Sequence, residues 1–226
     1  MCIPKKDTFL ISYQSDWVED TSLTKLMVKS RRIGISYASS YEDVRRHARR
    51  DNHLQTWVSS RDELTARQYV RDCMKFAKIF HAAASDMGEK VLTDDKGGSH
   101  TVHVIDFANG QPLNSLSSNP DAFAGRGGYV KLDELALRKD PGMVYAIAAP
   151  TIDWGGKLAM ISTHRGTGNY FNTLIREIEE KGNPKRISLH RVTLQDALDQ
   201  GFLWKLQTKL PEDDPRMEMD EAEYFD

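Results

Sequence analysis

A wound α/β fold, with a mostly parallel central sheet and helices on both faces, is predicted by three observations. Short apolar runs alternate with longer amphipathic segments along most of the chain. One such run, Leu26-Met27-Val28, opens into a basic loop that contains a glycine. Another, Tyr129-Val130-Lys131-Leu132, ends in two adjacent carboxylates, Asp133 and Glu134. Chemistry placed at the ends of apolar strands is the habit of open parallel sheets.

The elements follow in order. A lead segment over residues 8–24 carries Tyr13, Gln14 and Trp17, and a strand is expected at 25–29. A helix begins near Tyr37, and Gln55-Thr56-Trp57-Val58-Ser59 reads as the next strand. Residues 62–81 form a long amphipathic helix, with Leu64, Tyr69, Val70, Cys73, Phe76, Ala77 and Phe80 near helical spacing. Strand-like alternation on both sides of Asp94-Asp95-Lys96-Gly97-Gly98 predicts a hairpin over 91–107, and 111–116 a further strand. Past the acidic strand come a short apolar helix at 143–149 and a strand at 157–161. A helix at 169–181 is stopped by Gly182-Asn183-Pro184, then a strand at 186–190 and a helix at 194–203 complete the set. No internal repeat is visible. Residues 1–210 are read as one domain and 211–226 as a tail with eight acidic residues against one arginine, either a linker or a disordered end.

Composition excludes several classes. With 39% hydrophobic and 28% charged residues the chain is an ordinary globular domain, long enough to bury a full core. Cys2 and Cys73 are too few and too far apart for a disulfide framework or a thiolate metal site. No apolar stretch approaches the roughly 20 residues of a membrane span, and no secretion signal opens the chain, so the expected location is cytoplasmic. The net charge of −2 hides an asymmetry: residues 29–50 hold seven Lys/Arg against Glu42 and Asp43. Arg45, Arg46, Arg49 and Arg50 either face DNA phosphates or a neighbouring subunit, or form a solvated helix face with local ion pairs.

The chemistry concentrates at three places. Lys29-Ser30-Arg31-Arg32-Ile33-Gly34-Ile35-Ser36 joins a strand to a helix that opens at a hydroxyl, the recipe for a phosphate cradle. It departs from G-x-x-x-x-G-K-[ST], because Ile35 stands where the lysine belongs. The phosphate-neutralising cation must therefore be Lys29, Arg31 or Arg32. A plain basic turn is the alternative. Asp133 at a strand end has the type and position to hold Mg²⁺, and Glu134 beside it to deprotonate water. Third, Lys157-Leu158-Ala159-Met160-Ile161 runs into Ser162-Thr163-His164-Arg165-Gly166, polar groups placed to sense hydrolysis at the end of a central strand. Lys131 within the acidic strand suggests that one face of the sheet is less covered than usual. The histidines lack metal-ligand spacing and are read as structural.

Together these segments resemble the ATPase domain of a phage terminase large subunit, the DNA-packaging motor, and in particular its Mu-like branch. Tyr13-Gln14-x-x-Trp17 resembles the adenine-contacting segment, although aromatic residues near an N-terminus also pack into cores. Residues 29–36 are similar to a deviant Walker A loop with the lysine moved to its front, and Val130-x-Leu132-Asp133-Glu134 to Walker B with its catalytic glutamate. Ile161-Ser162-Thr163-x-x-Gly166-x-x-Asn169-x-Phe171 is similar to the coupling motif, with His164 where a proline is frequent.

The resemblance implies a P-loop NTPase of the additional-strand, RecA-like class that hydrolyses ATP with Mg²⁺ and translocates double-stranded DNA. Lys29 and the loop from Ser30 to Ile35 would hold the phosphates, Ser36 and Asp133 the metal, and Glu134 the attacking water. Ser162 and Thr163 would relay the state of the site. Arg32, Arg126 and Arg165 compete as the arginine finger, and Arg126 is alternatively a DNA contact. Implied partners are further copies in a ring on a portal and a terminase small subunit, in the host bacterial cytoplasm. A nuclease domain, which such proteins carry, is expected to be absent from these 226 residues. A helicase-like ATPase and a remnant that binds nucleotide or DNA without hydrolysis are the rival readings.

Overall fold

A computed structural model describes residues 9–81, 84–93, 98–117 and 127–225. Eight strands form a single sheet in the order β3-β4-β5-β2-β6-β7-β1-β8. They span Thr24–Lys29 (β1), Thr56–Ser59 (β2), Gly88–Thr93 (β3), Ser99–Asp106 (β4), Pro112–Leu116 (β5), Tyr129–Asp133 (β6), Lys157–Ser162 (β7) and Ser188–Val192 (β8). From β5 to β8 every neighbouring pair is parallel, and the β3–β4 hairpin extends the sheet antiparallel at one edge. The helices are Ser12–Glu19 (α1), Ile35–His47 (α2), Glu63–Ile79 (α3), Pro141–Ala148 (α4), Tyr170–Glu180 (α5), Leu194–Asp199 (α6), Phe202–Gln207 (α7) and Glu221–Phe225 (α8).

β7, with its Ser162 and Thr163 end, is inserted between β1 and β6. The phosphate-loop strand and the acidic strand are therefore one strand apart, and both release their C-terminal ends toward the same edge. Side-chain alternation then sorts the chemistry. Leu26, Val130 and Leu132 enter a core with Phe171, Leu174 and Ile175 of α5 on one face. Lys25, Lys29, Lys131 and Asp133 take the other face, where α2 lies.

Lys131 overturns the expectation of a thinly covered face. Its side chain is 3% exposed, and its ammonium sits 2.7 Å from Glu42 and 2.9 Å from Asp43. Lys25 reaches Glu42 at 3.0 Å, and Arg46 reaches Glu42 at 3.0 Å and Asp43 at 3.1 Å. Tyr69 of α3 donates its hydroxyl to Asp43 at 2.6 Å. The face is covered, by a helix that brings matching charge.

Other boundaries moved for local reasons. The span expected as one helix over 194–203 is broken by Gly201, whose φ of 87° ends α6 and opens α7. β8 starts at Ser188, because Asn183 bonds both the N–H and the carbonyl of Ile187 and holds that stretch in a turn. The hairpin forms over β3 and β4; most of its turn lies outside the described residues. The acidic tail folds back against α7 through residues 216–224. The Gln207 amide donates to the carbonyls of Arg216 and Met219, and Tyr224 packs edge-on to Phe202.

Glu42→Gln leaves buried Lys25 without a carboxylate partner, and Lys131 and Arg46 with Asp43 alone. A loss of about 3–5 kcal/mol is expected, read as a lower urea midpoint with an unchanged slope. A midpoint equal to wild type would show that the network does not hold α2 to the sheet.

Candidate nucleotide site

The site forms where the basic loop meets the end of β6. Lys29 closes β1, and Ser30 is tied to β8 by its N–H on the Val192 carbonyl at 3.0 Å. The chain then turns sharply: Arg32 has a φ of 59°, and Gly34 caps α2 with a φ of 79°. Left-handed backbone costs roughly 1–2 kcal/mol for a residue with a Cβ. Gly34 is further constrained by space, because a Cβ there would lie 2.6 Å from the Gln14 amide nitrogen.

That contact revises the reading of the lead segment. Gln14 donates to the carbonyls of Ile33 at 3.4 Å and Gly34 at 3.1 Å, while its oxygen accepts from Ile11 N–H at 3.1 Å. Tyr13 donates its hydroxyl to the Ile33 carbonyl at 2.7 Å. Burial raises the Tyr13 phenol well above its ordinary pKa, which keeps it a donor. The ring is 3% exposed and Trp17 is fully buried, with its N–H on Ser39, so neither offers a face for stacking on adenine. Tyr13 and Gln14 instead hold the loop from behind.

Two contacts join the loop to the acidic strand. Lys29 pairs with Glu134 at 2.8 Å, and Ser36 donates to Asp133 at 3.0 Å. Burial and the neighbouring Glu134 carboxylate raise the Asp133 pKa, so a cation beside it would be strongly favoured. A hydroxyl and a carboxylate oxygen at the head of the loop are hard donors of the kind Mg²⁺ takes alongside phosphate and water, so this pair fits that ion. Glu134 itself is left-handed at φ 53°, and its second carboxylate oxygen is buried with no hydrogen-bond partner among the described residues.

The turn after Glu134, a 3₁₀ segment at Leu135–Leu137, is gripped from the inserted strand. Ser162 accepts from the Ala136 N–H at 3.0 Å, and Asn169 donates to the Ala136 carbonyl at 2.9 Å. Thr163 is buried beside Ser162, and His164 bonds Asn172 at 2.9 Å in a structural role. Arg138, which the sequence reading passed over, donates to the carbonyls of Ser59 at 2.6 Å and Asp133 at 3.0 Å. It clasps the ends of β2 and β6. Its only signal in the sequence is a cation five residues after Asp133.

Of the other arginines, Arg31 and Arg32 are exposed on the loop and Arg165 is exposed after β7. Arg126 lies outside the described residues. The α2 arginines offered to DNA are largely engaged at the opposite edge of the sheet, in a cleft of about 240 Å³. There Arg45 pairs with Glu19, Arg46 stacks over Tyr129 at 3.8 Å, and Arg49 pairs with Asp51 at 2.7 Å.

No protein-family profile matches the chain. It is 33% identical over 202 residues to Mu-like prophage FluMu protein gp28 of Haemophilus influenzae, covering 88% of this chain and 39% of that protein. It is 34% identical over 205 residues to the probable terminase large subunit gp28 of Escherichia phage Mu, covering 88% and 37%. The chain thus spans under two fifths of the length of these relatives. Among solved structures, the large terminase ATPase domain of Thermus phage P74-26 superposes with a TM-score of 0.55 at 20% identity, covering 91% of this chain and 89% of that one. A large terminase from a thermophilic bacteriophage, in complex with ADP, gives a TM-score of 0.59 at 16% identity over 90% of this chain and 50% of that one.

Substituting Gly34→Ala should lower both thermal stability and nucleotide affinity, because strain of about 1–2 kcal/mol adds to displacement of Gln14. Gln14→Ala removes the obstacle, so the double variant should lose less than the sum of the two singles. Strict additivity in a melting series would rule out the Gln14 clasp.

Proposed function

We propose that the chain is the ATP-hydrolysing part of a Mu-like phage terminase large subunit, a motor that drives double-stranded DNA into a prohead, a reading supported by its 33% and 34% identity to the gp28 proteins of a Mu-like prophage and of phage Mu. The observation that carries this reading is the pair of contacts Lys29–Glu134 and Ser36–Asp133, which join a strained basic loop to the acidic end of a strand two positions away in the sheet.

In this reading Lys29 and the loop amides receive the β- and γ-phosphates, and Ser36 and Asp133 would hold Mg²⁺. Bound Mg²⁺ would neutralise the charge that develops on the transferring phosphoryl group. Glu134 accepts the proton of the attacking water. Lys29 cannot serve the phosphates and Glu134 at once. A triphosphate that takes Lys29 therefore frees Glu134, so the base is unmasked only when substrate has arrived. Exposed Arg32 is at hand to the phosphates in cis, and Arg126 and Arg165 are the other candidates for the arginine finger. Assembly as a ring on a portal, with a terminase small subunit, in the host cytoplasm, completes the proposal.

Phosphate release from ATP in the presence of Mg²⁺, with and without duplex DNA, tests it. Glu134→Gln should cut turnover by about 100-fold or more while nucleotide still binds. Lys29→Ala should abolish both binding and turnover. Wild-type protein that binds no nucleotide, or variants that turn over like wild type, would defeat the proposal. Unwinding of a partial duplex, with stimulation by single strands alone, would favour a helicase-like ATPase instead.

A further inference from the structure

We infer that the hollow beside the coupling loop is a second anion site, which takes a backbone phosphodiester of duplex DNA. The inference rests on the DNA-motor reading above. The hollow, about 440 Å³, is walled by the turn after Glu134 and by the start of α5, and includes Arg138, Lys139, Arg165, Gly168 and Asn169. Three of its lining residues are cationic, and no carboxylate is among them. α5 has eleven residues and no acid in its first turn, so its N-terminal N–H groups add partial positive charge to the wall.

Arg138 supplies the independent observation. It is 7% exposed, and burial draws its pKa down to about 10. One nitrogen serves the two strand-end carbonyls, but Nε and Nη1 are buried with no hydrogen-bond partner among the described residues. Vacant donors on a buried guanidinium cost free energy that an arriving anion would recover. The planar fork of arginine suits a phosphate, which can accept from two of its N–H groups at once.

Duplex DNA is favoured over free phosphate by the rim. Lys139, Arg165 and Gly168 are all exposed, and neither cation has an ion-pair partner among the described residues, so a polyanion can reach them. An adjoining cavity of about 260 Å³ shares Leu137, Arg138 and Lys139 and adds Arg61, which is paired with Asp62, and Asp140, so the unpaired cationic surface is confined to the hollow and its rim. A phosphodiester seated here would bear on the segment that Ser162 and Asn169 grip at Ala136, and on the guanidinium that holds the Asp133 carbonyl. DNA engagement and the hydrolytic site would then share one turn of chain.

The test is fluorescence anisotropy of a labelled duplex oligonucleotide across a KCl series, with wild type, Lys139→Ala, Arg165→Ala and the double variant. Each removed cation should reduce the slope of log affinity against log salt by about 0.9. Nucleotide binding by Lys139→Ala should stay at the wild-type level. Wild-type binding with slopes unchanged in all three variants would overturn the site while leaving the motor reading intact. No duplex binding by wild type would overturn both, with the ATPase assay still reporting separately on hydrolysis. A calorimetric titration with inorganic phosphate separates the sources. Saturable phosphate binding that Lys139→Ala removes, with salt slopes unchanged, would assign the hollow to free phosphate and overturn the DNA assignment.

Discussion

The seating of α2 on the sheet depends on a buried exchange of charge. Lys25 from β1 and Lys131 from β6 rise toward Glu42 and Asp43, with Arg46 closing the set from the helix itself. Desolvating five ionic groups is expensive, and an apolar interface of the same volume would be at least as stable. What the charges add is register. Two lysines on strands separated by β7 can both reach acids one residue apart only when α2 holds one rotation and one height. An apolar helix could slide by a fraction of a turn at small cost. This one cannot, because sliding would strand an ion in low dielectric.

That register is inherited by the site. Ser36 lies two helical turns before Asp43 on the same face of α2, so the contact of Asp43 with Lys131 and that of Ser36 with Asp133 share one stripe of helix and one strand. The left-handed residues Arg32, Gly34 and Glu134 cluster where this stripe meets the strand ends, and Arg32 and Glu134 carry strain there. Backbone strain of that kind persists only where the surroundings over-determine it. Here Tyr13 and Gln14 from behind, and the strand-end contacts from the front, do so.

Much of this could be read in the sequence. Alternating apolar and amphipathic segments announce the wound sheet, and the order of basic loop, carboxylate pair and polar strand end announces the chemistry. Lys131 was misread because a single sequence shows a charge in a strand but not what lies opposite it. Glu42 and Asp43, the only acids in a basic stretch, were the available clue. Tyr13 and Gln14 stood out in the sequence as a pair, yet whether they face a ligand or a carbonyl is a question of packing. Arg138 was invisible for a related reason. Its importance comes from two strand ends brought together by the fold, and nothing in its local spacing marks it.

The turn at Ala136 gathers these threads. Its N–H and carbonyl are both taken by residues of the coupling segment, so it cannot move without Ser162 or Asn169 moving too. Its neighbour on one side is Glu134, strained and paired with Lys29. On the other side is Arg138, which is fixed to the ends of β2 and β6. Any event that releases Glu134 from Lys29 changes the charge facing Arg138, because the Glu134 carboxylate is among the groups that raise the Arg138 pKa against its burial. In the proposed reaction, chemistry at the phosphates and movement of the Ser162–Asn169 segment thus need no long pathway between them. They meet across a single turn whose two backbone groups are both already held.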